Sequence, residues 1–147
     1  MLAKEGGRDD AERGGASVEL VLIAPVLVAI VLLLVVAGRL SMTGVAVESA
    51  AGAAARAASL APNAGEASAI ATESARFTLL QQNVPCDDLS VAVDADALDA
   101  SLGVYGSVEV TVTCIVSLSD AALPGLGGSR AMAASASSPV DPFRAKE

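Results

Sequence analysis

Histidine and tryptophan are absent from this chain of 147 residues, and phenylalanine and tyrosine together supply three. The lack of histidine removes the usual general base near neutral pH, the Ser-His-Asp triad and the commonest transition-metal ligand. Catalysis, a metal and a cofactor are therefore not expected. With aromatics at 2%, a core must be built from Ala, Val and Leu. Such a core buries little area per residue, so a small domain made this way needs support beyond packing. Basic residues are scarce as well: nine Lys and Arg stand against 17 Asp and Glu, a net charge of −8. That balance argues against nucleic acid as a partner, which needs a basic footprint. Pro124-Gly-Leu-Gly-Gly128 has no Lys-Ser/Thr to hold phosphates and reads as a turn. Asp94-Ala-Asp96-Ala-Leu-Asp99 lacks the central glycine and closing glutamate of a calcium loop and reads as a solvated acidic loop.

What the chain does have is an apolar run. Nineteen residues from Leu20 to Gly38 carry no charge. At about 1.5 Å per residue they make roughly 28 Å of helix, close to the hydrocarbon thickness of a bilayer. Glu19 stands on its N-terminal border, where a charge beside hydrocarbon is costly and functional. Lys4, Arg8 and Arg13 precede the run, and Arg39 and Arg56 follow it. Three cations against two place the N-terminus inside. Cys86 and Cys114 both follow the run; a disulfide between them fits an oxidising exterior, the alternative being two buried thiols. A rival reading of the run is a cleavable secretory signal, with Val35-Val-Ala37 as the peptidase site and Gly38 as the new terminus. The acidic segment before it, its length and the early Pro25 favour a retained anchor.

Residues 1–13 are polar, mixed in charge and expected to be disordered. A helix is expected to start at Glu19 and to continue past Arg39 to Leu60, kinked at Pro25. Ala46, Ala50, Ala54 and Ala58 form a stripe that either allows close helix packing or reflects abundant alanine alone. Pro62-Asn63 ends that helix. Residues 66–82 read as a second, amphipathic helix with Ala69, Ile70, Phe77 and Leu80 on its apolar face. The period then changes to two. Leu89, Val91 and Val93 mark one strand; Val108, Val110, Val112, Cys114, Val116 and Leu118 mark the clearest one, with the Cys114 thiol towards the core. Residues 129–138 are weakly strand-like, and Pro139 and Pro142 close the chain. The fold class is thus α+β: a long N-terminal transmembrane helix, then a small domain of one helix and a three-stranded antiparallel sheet.

The segment Arg13-Gly14-Gly15-Ala-Ser-Val18-Glu19-Leu20, with Pro25, Gly38-Arg39 and the Ala/Arg-rich stretch from Ala50 to Ala58, resembles the N-terminal part of TadE-like proteins. These are minor pilins, or pseudopilins, of the tight-adherence (Tad, Flp-type) pilus systems. The resemblance covers residues 13–58. It departs from the family pattern at Leu20, where an aromatic is usual, and at Val36-Ala37, where an acid often precedes Gly-Arg. It implies a leader of residues 1–14, a long helix over 15–60 with its span at 20–38, and an extracytoplasmic domain over 61–147. It also implies cleavage by a prepilin peptidase between Gly14 and Gly15, which makes Glu19 the fifth residue of the mature chain. Glu19 and Leu20 then serve processing and subunit assembly. The implied partners are other pilin subunits, the peptidase, the inner-membrane assembly machinery and membrane lipid. The alternative is a secreted or membrane-tethered binding domain unrelated to pili.

Overall fold

The computed structural model describes residues 9–117 and 128–143, with side chains described from Val21 onward. The chain divides into two compact units, Met1–Gly38 and Arg39–Glu147.

The first unit holds most of helix α1, Asp9–Ser59. The helix begins ten residues before the expected Glu19, within a segment expected to be disordered. Positions 9, 10 and 12 are acidic, and negative charge is favourable in a first helical turn. Pro25 lies inside α1, and the helix continues past it. From Val21 to Val35 every large apolar side chain is about half exposed or more. A helix that is apolar all round, with no protein partner of its own, is suited to lipid.

In the second unit α1 supplies a buried face. Ala50, Ala54 and Ala58 are fully buried and Ala46 nearly so, with Val47, Ala51 and Ala55 beside them. The four-residue alanine spacing is therefore a packing face. Helix α2, Ala64–Gln81, starts at Asn63, whose Oδ1 accepts from the Glu66 N–H at 3.0 Å while its Nδ2 donates to Glu66 Oε1 at 3.3 Å. This reciprocal cap satisfies a backbone donor that the first turn leaves free. Its buried residues are Ala67, Ala71, Ala75 and Leu79. The expected apolar face is thus corrected: Ala69, Phe77 and Leu80 are exposed and Ile70 is only half-buried. Both helices contribute alanine faces to one hydrophobic cluster. Small side chains let backbones approach closely, and the bulkier apolar residues are left outside.

Three strands, β1 (Asp88–Asp94), β2 (Gly106–Ser117) and β3 (Ser129–Val140), form an antiparallel sheet in the order β1-β2-β3. Val108, Val110, Val112, Cys114 and Val116 of central β2 are buried, as their alternation predicts. Leu118 and the turn from Pro124 to Gly127 lie outside the described residues. β3 is longer than the expected 129–138 and includes Pro139, tolerated because β3 is an edge strand. The β1–β2 connection is pinned at both ends. Asp99 Oδ1 accepts from the Ala64 N–H at 3.4 Å, Leu98 is buried, and the Gly103 N–H donates to the Pro142 carbonyl at 2.9 Å. The acidic residues of this connection serve the turn: Asp94 Oδ1 accepts from the Asp96 N–H at 3.4 Å, at the start of a short 3-10 turn over Asp96–Leu98.

Candidate assembly segment

Gly14, Gly15, Glu19 and Leu20 all fall within α1. Glycine costs about 1 kcal/mol relative to alanine in a helix interior, so the pair at 14 and 15 weakens the helix locally. Position 19 stands four residues beyond position 15. In a helix that is about one turn, some 6 Å along the axis, and the two share a face. Beyond Leu20, residues 21–38 are exposed except Val36, which is intermediate. An 18-residue window beginning here has mean hydropathy 3.1 and none of it is buried; among the described residues this is one helix long and apolar enough to cross a membrane.

Cys86 and Cys114, 28 positions apart, form a disulfide with their Cα atoms 5.4 Å apart. Cys114 lies opposite Leu89 on one side and Met132 on the other, at the middle of the sheet. The bridge fastens the segment leaving α2 to the central strand. It settles the alternative of two buried thiols and fits an oxidising environment.

A concavity in the second unit, about 800 Å³, lies between the Arg39–Ala46 turns of α1, the Gln81–Pro85 segment and the end of β2. Its walls carry no pair of titratable groups of the kind that acid–base chemistry needs. Sequence reasoning missed two surface features. One is the exposed strip of Phe77 and Leu80 on α2; alanines at 67, 71 and 75, spaced by four, were the signal for the true inner face. The other is the pair of sheet edges, whose register no local pattern reveals.

A helix long and apolar enough to cross a membrane, followed by a small, disulfide-bridged α+β domain, is what this geometry defines. Residues 14–56 match the model of the family described as TadE-like protein, the family that the sequence segment resembles. The match opens at Gly14 and ends at Arg56. No curated protein and no solved structure matches the chain.

Proposed function

We propose that the chain is a non-enzymatic, single-pass pilin-like subunit that contributes to assembly of a Tad/Flp-type pilus. The observation that carries this reading is the family match over residues 14–56, which spans the glycine pair, Glu19, the apolar run and the alanine-rich face together. Residues 1–14 form a cytoplasmic leader that a prepilin peptidase removes after Gly14. Residues 15–60 form the assembly helix and 61–147 the domain outside the cell membrane. The disulfide supports that orientation, since cytosolic thiols are kept reduced.

Glu19 then works between copies. A new amino terminus and a carboxylate are each costly in an apolar bundle and attract strongly when paired. A subunit whose Glu19 meets a neighbour's Gly15 amine is held in axial register. Losing one partner of such a pair costs about 3–5 kcal/mol. Glu19→Ala should therefore insert and be exported normally, yet be absent from sheared pili or fail to support their formation. N-terminal sequencing and cleavage of the variant belong in the same experiment, because slow processing imitates an assembly defect. A mature terminus at Gly15 supports this reading, one at Gly38 favours a secreted domain, and an intact leader a plain anchor. A variant that is processed, inserted and fully competent for piliation would reduce Glu19 to a helix-start residue favoured by the dipole.

A further inference from the structure

Two strand edges of the sheet have no partner among the described residues: the outer edges of β1 and β3. Long, uncharged edges are open to pairing with another chain, and proteins normally blunt them with charge, proline or shortness. β1 is short, seven residues, with aspartates at both ends. β3 is twelve residues long, and from Ala131 to Ser138 it holds neither a charge nor a proline.

The register shows how the two edges fit. Asp88 is level with Ile115 and, through it, with Ala131; Asp94 is level with Glu109 and Ser137. A neighbouring copy set beside the first without stagger therefore lays its β1 along residues 131–137, the uncharged stretch, short of Pro139. Because β1 and β3 are each antiparallel to β2, they run the same way, and the new pairing is parallel. On the inner face the same levels place Val91 of the neighbour beside Ala134 and Val93 beside Ala136. All four are only partly buried in the single chain, so each row lacks cover that the other supplies, large beside small. At the end of the ladder the Asp87 N–H donates to the Ile115 carbonyl at 2.7 Å, the residue that Asp88 already faces, so the regular register ends at Asp88. Arg130, the cation at the head of an otherwise uncharged edge, would stand one position beyond the level of the neighbour's Asp88, and Ser137 would be level with the neighbour's Asp94.

We propose that copies of this chain associate edge to edge, β3 of one taking β1 of the next, an inference that rests on the pilin reading. The symmetric alternative, β3 against β3, needs a two-fold axis through the sheet. That axis would turn the α1 segments packed on the sheet antiparallel to one another. The β3-to-β1 contact keeps every copy in the same orientation. It is heterologous, and such contacts build open helical arrays or rings.

The test uses full-length protein in native membranes, expressed as a mixture of isotopically heavy and light chains. Photoreactive benzoylphenylalanine at position 92 reports on the β1 edge, and at position 27 on association through the apolar run. The expected product is a heavy–light cross-link from position 92 to the tryptic peptide Ala131–Arg144. Ser137→Asp, which sets a like charge level with the neighbour's Asp94, should lower its yield by about two- to fivefold, and Asp94→Asn in the same chain should restore it. Cross-links at position 27 with none from 92 to that peptide would overturn the edge contact and leave the pilin reading standing. Cross-links from neither position would overturn both.

Discussion

Replacing Cys86 and Cys114 together by alanine tests what holds this aromatic-poor domain together. The bridge spans 28 positions, and in the chain-entropy model releasing a loop of that size costs about 3.5 kcal/mol at 25 °C. Cys114 is fully buried, so the smaller alanine leaves a void that adds about 1 kcal/mol. A domain of roughly 110 residues has about 5–15 kcal/mol in all. The variant should thus lose between a third and most of its stability. Urea unfolding of the full-length chain in detergent, followed by circular dichroism, reads this directly. With a slope near ~2 kcal/mol per molar, the midpoint should fall by about 2 M. Wild-type protein under reductant should lose the loop component alone and fall slightly less. A loss below about 1 kcal/mol in both samples would refute the reasoning, because the packing of small side chains would then suffice without the bridge.

Two further outcomes test the packing. At Gly106 an added Cβ would meet the Ala97 Cβ at 2.6 Å, so Gly106→Ala should cost about 1–3 kcal/mol, whereas Gly52→Ala, with its nearest contact at 3.7 Å inside α1, should stabilise by about 0.5–1 kcal/mol in the same unfolding assay. Phe77→Ser should change stability by less than about 0.5 kcal/mol, because the ring is 62% exposed; a loss above 2 kcal/mol would show that it belongs to the core after all.

The parts legible in the sequence were those with a strong local signal. The apolar run and the alternating valines of β2 each declare themselves within a few residues. So did the segment from Gly14 to Arg39, where several weak features occur at family-like spacing. α2 was misread because hydrophobicity alone was taken to choose its inner face. The choice is made by the partner: a cluster lined with alanines from α1 accepts Ala67, Ala71 and Ala75 and turns Phe77 and Leu80 outward. The length of β3 was underestimated because Ala and Ser carry little strand propensity. Its ladder with β2, from Ser117–Ser129 to Gly106–Val140, is a non-local pairing that propensity cannot supply.

The chain's three aromatics, Phe77, Tyr105 and Phe143, are all exposed, while its described core is mostly alanine and valine. One constraint accounts for both. A face that repeats alanine every four residues lets helices and sheet approach closely, and a single ring inserted there would force them apart. Each buried alanine methyl contributes only about 0.8 kcal/mol, against about 1.5–3 for a larger apolar side chain. The domain therefore begins with a weak core and must find stability elsewhere. The disulfide acts on the unfolded chain and needs no volume. An edge contact acts on the assembled chain: it would cover the rows at Val91–Val93 and Ala134–Ala136, which the described residues leave partly buried. Under the proposed edge contact such a chain would be least stable alone and would gain from each neighbour, the thermodynamic condition for working in an array.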